Sequence, residues 1–311
     1  MTPKDAFRLI RLPNLLTIVF FQSLLHFGLI VPYLAEHGLP NALSTPRFLL
    51  LMAASVCLAA GGNAINDYFD VVADRINRPT RVVVGSSVDR RVALLVHVIL
   101  TLMGVFMGGY LAFVLRRSFF MLLFVAVPII LWFYSTHLKR MVLIGNIVVA
   151  LLVALTGYMV VSADFAAVDL AAHRVLSDHE PMSQLWFLVC GYCIFAFIAN
   201  LGREVLKDIE DVDGDAAMGC HTLPVEMGVP YSKVVVILIE LFMLVCLALA
   251  CHEVPNFQGL NLLIIIALIC VPTIAMCIMV VRGQERHHFH RAQILAKLVM
   301  LAGVCSLFFF F

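Results

Sequence analysis

The chain is 311 residues long, 62% hydrophobic and only 13% charged, with a mean hydropathy of +1.01. Soluble globular chains are closer to half apolar and a quarter charged, so this composition excludes an ordinary soluble domain. The formal net charge of +1 says little alone, because 21 basic and 20 acidic residues cancel; no nucleic-acid partner is expected.

Apolar runs of bilayer length, about 20 residues each, predict nine helical spans. They lie at roughly 13–33, 48–66, 92–115, 119–136, 141–163, 185–203, 233–252, 260–281 and 292–311. The first follows Lys4, Arg8 and Arg11. It is longer than a signal-peptide core and no small-x-small cleavage site follows it, so a retained span is expected. Nine spans place the termini on opposite sides. With the N-terminus inside, seventeen of the 21 basic residues fall in inner segments, leaving Arg47, Arg116, Arg117 and Arg174 outside. Excess Lys and Arg marks the cytoplasmic side. The expected fold is therefore an all-α polytopic membrane protein, one domain over 1–311. Its N-terminus is expected in the cytoplasm and its C-terminus outside, in a prokaryotic cell membrane. Most of the nine cysteines lie in apolar spans and read as packing, Cys190-x-x-Cys193 included.

Two of the inner loops, at about 67–91 and 204–232, are long and acidic. The first opens Asn66-Asp67-Tyr68-Phe69-Asp70-Val71-Val72-Ala73-Asp74-Arg75. The second opens Lys207-Asp208-Ile209-Glu210-Asp211-Val212-Asp213-Gly214-Asp215. Asp67, Asp70 and Asp74 recur, in the same order and at the same spacing, as Asp208, Asp211 and Asp215. Each triplet follows a span, four helices apart, which predicts two four-helix pseudo-repeats with a ninth helix added. At about 100° per residue, positions i, i+3 and i+7 fall within about 60° on a helix, so each triplet forms one acidic stripe. Asn66 adds an amide oxygen to the first. Like charges so placed stay partly protonated or bind cations. Hard oxygen donors suit Mg2+, which keeps waters and bridges carboxylates to phosphate. One DxxD run at a helix end is most simply a solvated loop. Two with identical spacing at corresponding positions, beside Lys and Arg, point to a ligand.

Basic residues complete a diphosphate site: Arg75, Arg78 and Arg81 after the first stripe, Arg203 and Lys207 at the second, Lys139 and Arg140 closing span 4. Arg90 and Arg91 need no role beyond topology. Together, Asn66-x-x-x-Asp70-x-x-x-Asp74, Arg75-Ile76-Asn77-Arg78-Pro79, Tyr134-Ser135, Leu138-Lys139-Arg140 and the second acidic loop resemble the UbiA intramembrane prenyltransferases. The resemblance covers nearly the whole chain. It implies nine helices around a central cavity open laterally to lipid, and Mg2+ with the diphosphate of an isoprenyl donor at the two motifs. By position, Asn66, Asp70 and Asp74 would bind one metal, with Asp67 beside them, and Asp208, Asp211 and Asp215 the other. Lys139 and Arg81 would grip the diphosphate, and Tyr134 would line the cavity. Ionisation of the allylic C–O bond then yields a carbocation, attacked by an acceptor away from water.

The run Arg203-Glu204-Val205-Leu206-Lys207-Asp208-Ile209-Glu210-Asp211 looks most like the branch that alkylates geranylgeranylglyceryl phosphate in ether-lipid synthesis. Aromatic acceptors (4-hydroxybenzoate, dihydroxynaphthoate, homogentisate) define the alternative branches. After Arg81 many members continue with a proline and a Ser-Gly; this chain reads Val82-Val83-Val84-Gly85-Ser86-Ser87. Other polar features carry less. His287, His288 and His290 read as a solvated basic loop. Asn146 and Asn200 either line the cavity or bond between helices. Glu240 is an intramembrane acid that either functions or reaches the interface. Phe308–Phe311 reads as lipid contact. A cation-coupled transporter is the competing class, but inverted repeats with midplane acids would mark it. These halves run parallel, with their acids at the inner face. A CDP-alcohol phosphotransferase would carry its acidic runs on adjacent helices.

Overall fold

The computed structural model describes residues 2–77, 82–176 and 180–310. Among them nine helices are long and apolar enough to cross a membrane. They are α1 (Leu12–Glu36), α2 (Thr45–Phe69), α3 (Arg90–Val114), α4 (Ser118–Thr136), α5 (Ile144–Ala172), α6 (Met182–Glu210), α7 (Val229–Glu253), α8 (Leu260–Arg282) and α9 (Arg286–Phe310). The protein is an all-helical integral membrane protein. The only β pairing among the described residues is an isolated bridge between Val84 and Val88. Apolar side chains cover the outward faces too: Phe106 and Phe113 are 79% and 80% exposed, as lipid permits.

Helices α1 and α8 each contain a widened π segment, Leu24–Ile30 and Ile266–Cys270. Each ends just before a Val–Pro pair, Val31-Pro32 and Val271-Pro272. Proline has no N–H and its ring crowds the carbonyl four residues back, so the ladder widens there without breaking the span. Helix α9 begins six residues before its expected start, so His287, His288 and His290 lie on a helix and not in a loop. A reciprocal cap starts it: Glu285 and His288 bond each other's backbone N–H.

The chain forms two compact units, Met1–Leu138 with Met159–Leu185, and Lys139–Tyr158 with Trp186–Phe311. The cut after Leu138 falls where the two pseudo-repeats were expected to meet, but the C-terminal part of α5 belongs to the first unit.

Within the first unit glycines let α2, α3 and α4 approach closely. A Cβ on Gly104 would lie 2.7 Å from Leu58 Cδ2, and one on Gly108 only 2.1 Å from Phe124 Cγ. Small residues at helix contacts are the usual means of close packing where lipid supplies no hydrophobic drive. Gly108→Leu is therefore expected to destabilise this unit by about 1–3 kcal/mol, read as a lower midpoint of SDS-induced unfolding, because buried Phe124 cannot simply swing aside. The second unit has its own core, in which Val205, Leu206 and Ile209 of α6 join Val236 of α7, Met276 and Val280 of α8, and Phe289, Ala292 and Ala296 of α9.

Candidate active site

Both acidic motifs sit where a span gives way to a short helix. Helix α2 ends at Phe69, Asp70 takes φ −90° and ψ 6°, and Val71–Asn77 resumes the helix. In the second unit α6 ends at Glu210, Asp211 takes φ −99° and ψ 8°, and Val212–Ala217 follows. The backbone ladder runs through both bends. Asp70 N donates to Asn66 O at 3.0 Å and Asp74 N to Asp70 O at 2.8 Å; Asp211 N donates to Lys207 O at 2.9 Å and Asp215 N to Asp211 O at 3.1 Å. The expected straight stripe is thus corrected to one bent at its central acid. No proline or glycine stands at either bend, so ψ near zero at one residue makes it.

The first acid of each triplet is already engaged. Arg11, just before α1, donates to Asp67 Oδ1 at 2.6 Å, and Asn146, near the start of α5, donates to Asp208 Oδ2 at 2.7 Å. Each motif is thereby tied to the start of the first helix of its own pseudo-repeat. Arg11 reaches this position from a left-handed backbone, φ 53°, which is costly for a non-glycine residue. The neighbouring Asp67 carboxylate raises Arg11's hold on its proton above the ordinary guanidinium range. Of the two roles the sequence allows Asn146, cavity lining or an interhelical bond, its bond to Asp208 is the interhelical one.

Asn66, one turn before Asp70, is buried, and its Oδ1 has no hydrogen-bond partner. A buried carbonyl oxygen without a donor is costly, and beside carboxylates it suits a hard cation. The motif it opens, Asn66, Asp67, Asp70 and Asp74, offers oxygen donors only, which fits Mg2+. Among the described residues no three His, Cys, Asp or Glu side chains are gathered as a ready cation cage. Mg2+ does not need one, since it binds through one or two carboxylates, waters and substrate phosphate.

The cationic residues divide. Arg203 is half-buried and donates to Asn200 Oδ1 at 3.1 Å and to Glu204, while Lys207 Nζ lies 3.7 Å from Glu204 Oε2. Asn200 Nδ2 remains buried without a partner. Arg75 is exposed and donates to Gly85 O at 3.3 Å. Lys139 lies on a single 3-10 turn, Leu138–Arg140, and Tyr134 is half-buried near the end of α4. Arg78 and Arg81 lie outside the described residues. The loop that departs from the family pattern packs inward: Val83, Val84 and Val88 are buried with Leu9, Ala64, Val71 and Ala93. Ser87 Oγ bonds Asp5 Oδ1 at 3.0 Å.

Two expectations need correction. Glu240 does not reach an interface: it is buried against Gly202, where a Cβ would lie 2.3 Å from its Oε1. His287 is exposed as expected, but His290 is not merely solvated, because its Nδ1 lies 3.2 Å from both carboxylate oxygens of buried Glu210. Gln293 Nε2 donates to Glu210 Oε2 at 2.5 Å, and Arg286 Nη2 to Asp211 Oδ1 at 3.3 Å. The roles of Arg11, Arg286 and Gln293 are not legible in the sequence, since no local spacing marks partners so far apart in the chain. The positive-inside count explained the arginines without them.

Fold and motifs together define a multi-pass membrane protein with paired carboxylate motifs at helix bends. The chain belongs to the UbiA prenyltransferase family, whose profile matches residues 24–301, and it is accordingly a prenyltransferase. A digeranylgeranylglyceryl phosphate synthase of Thermococcus kodakarensis is 34% identical over 279 residues, 90% of each chain. A solved structure from work on digeranylgeranylglyceryl phosphate synthase in membranes superposes with a TM-score of 0.62 at 20% identity, covering 98% of both chains. A UbiA homologue from Archaeoglobus fulgidus bound to DMAPP and Mg2+ superposes at 0.55 and 15% identity, covering 97% of this chain and 99% of that one.

Proposed function

We propose that the protein transfers a geranylgeranyl group from its diphosphate to geranylgeranylglyceryl phosphate, as a digeranylgeranylglyceryl phosphate synthase. The observation that carries this reading is identity of 34% across 90% of both chains with a synthase of that name. The two acid triplets, repeated at identical spacing in the two halves of the chain, supply chemistry that suits it. Asn66, Asp70 and Asp74 hold one Mg2+, with Asp67 fixed beside them, and Asp208, Asp211 and Asp215 hold a second. Bound Mg2+ supplies positive charge for the diphosphate oxygens of the donor. Lys139, Arg75, Arg81, Arg203 and Lys207 add charge-assisted hydrogen bonds to those oxygens. Tyr134 lines the cavity beside the donor, and Asn146 acts on the substrate through its bond to Asp208. The allylic C–O bond breaks with its electron pair on the leaving diphosphate. A new C–O bond forms to the acceptor's hydroxyl oxygen, whose proton is lost. The apolar spans hold both lipid tails and keep water from the cation. The N-terminus and both motifs face the cytoplasm of a prokaryotic cell membrane, in keeping with the distribution of Lys and Arg.

An acceptor competition tests the branch. Purified protein is given labelled geranylgeranyl diphosphate, Mg2+ and an equimolar mixture of geranylgeranylglyceryl phosphate, 4-hydroxybenzoate, dihydroxynaphthoate and homogentisate. Label is expected in the glyceryl phosphate lipid; label in an aromatic acid overturns the branch.

Asn146→Leu supplies a finer prediction. It leaves Asp208 without its 2.7 Å donor and should weaken the response to Mg2+ by about 10- to 100-fold, seen as a rightward shift of the Mg2+ activation curve. Asn146→Gln should recover part of it.

A further inference from the structure

We infer that the ninth helix, the one outside the repeat, positions the second acid triplet: Arg286, His290 and Gln293 are positioning residues for the cation held at Asp211. This rests on the reading that the triplets bind divalent metal. The three residues stand at i, i+4 and i+7 on α9, within about 60° of one another on one face. Gln293 Nε2 donates to Glu210 Oε2 at 2.5 Å and reaches Leu206 O at 3.5 Å. His290 Nδ1 is 3.2 Å from each Glu210 oxygen, and Arg286 Nη2 is 3.3 Å from Asp211 Oδ1. Glu210 is the last residue of α6 and Asp211 is the bend itself. The residues on both sides of the bending peptide are therefore held from α9.

The first motif is braced otherwise. Phe69 takes the place there that Glu210 takes in the second, directly before the bend, and it meets Trp132 of α4 edge-on with ring centroids 5.7 Å apart. A bend made without proline or glycine has no local residue to enforce it, so an outside contact must fix the direction of the acid that follows. In the first unit the residue before the bend meets an aromatic ring, and Arg90 Nη2 donates to Tyr68 O at 3.0 Å one residue earlier; in the second the residue before the bend is held by a polar set on α9. Docking of α9 does not need the polar set, because Phe289, Ala292 and Ala296 already pack on Leu206 and Ile209. Outer contacts that orient ligands typically change metal affinity by about 10- to 100-fold when removed.

Mn2+ titration of the full protein in detergent, saturated with a non-reactive thiolodiphosphate analogue of geranylgeranyl diphosphate and read by the electron paramagnetic resonance signal of free Mn2+, tests this without turnover. The unmodified protein is expected to bind two Mn2+. His290→Leu/Gln293→Leu is expected to keep one site and to weaken the other at least about tenfold, in a protein that still unfolds cooperatively at a midpoint lowered by the loss of two donors to buried Glu210. His290→Asn, whose amide nitrogen replaces Nδ1, should restore affinity when Gln293 is intact. Two unchanged sites in the double variant overturn the inference and leave the metal reading standing. Loss of both sites together with cooperative unfolding makes the contacts purely structural and also overturns it. No Mn2+ binding by the unmodified protein overturns the metal reading, and this inference with it.

Discussion

Asp70→Ala and Asp211→Ala should each reduce prenyl transfer by about 10²- to 10³-fold, the usual cost of losing one group that stabilises charge in the transition state. The two acids occupy the same place in their motifs. Each sits at the bend after a span, with ψ within a few degrees of zero, φ −90° and −99°, and the helical ladder passing through on both sides. Such equivalence predicts equal losses, and extra Mg2+ should not restore either rate, because the ligand itself is gone. Asp213→Ala is the matched control. Asp213 is exposed and belongs to neither triplet, so its rate should stay within about twofold, as for most exposed substitutions. Initial rates of labelled product formation decide the matter. A silent Asp211→Ala beside a dead Asp70→Ala would remove the second motif from the chemistry.

His26→Leu should produce the largest loss of stability. His26 and Asp164 are both almost wholly buried within the first unit; Nδ1 lies 3.0 Å from Asp164 Oδ2, and Leu43 N donates to Oδ1 at 3.0 Å. The imidazole also stacks on Phe48, with centroids 4.1 Å apart and planes 6° from parallel. Removing the imidazole strands the carboxylate among apolar side chains, at a cost of about 3–5 kcal/mol. Ordinary hydrogen bonds between membrane helices are worth much less, about 0.6 kcal/mol on average. Asp164→Asn separates the two effects. It keeps an oxygen for Leu43 N–H and a polar partner for His26, and should cost about 1 kcal/mol. SDS unfolding followed by the fluorescence of Trp132 and Trp186 measures both. Equal losses in the two variants would show that the hydrogen bonds, and not a stranded charge, set the cost.

What the sequence discloses here follows from the range over which each signal acts. A span is a contiguous run, so all nine were legible, with errors only at ends such as that of α9, where polar residues form the first turns. The acid triplets were legible because the second repeats the spacing of the first at the end of the corresponding span. Their bends were not: an unbroken ladder with ordinary residues leaves no proline or glycine to read. Pairings made by tertiary contact were equally hidden. Arg11 and Asp67 are 56 residues apart, Asn146 and Asp208 are 62, His290 and Glu210 are 80, and His26 and Asp164 are 138. Each residue alone reads as a topological charge or an isolated polar side chain, and only packing shows its partner.

The most direct test of the proposed activity is product formation by the purified protein in lipid nanodiscs, given geranylgeranyl diphosphate and geranylgeranylglyceryl phosphate and analysed by mass spectrometry with Mg2+ or with EDTA. Digeranylgeranylglyceryl phosphate and released diphosphate are expected with Mg2+ and neither with EDTA. Intact donor and acceptor after prolonged incubation with Mg2+ would contradict that activity.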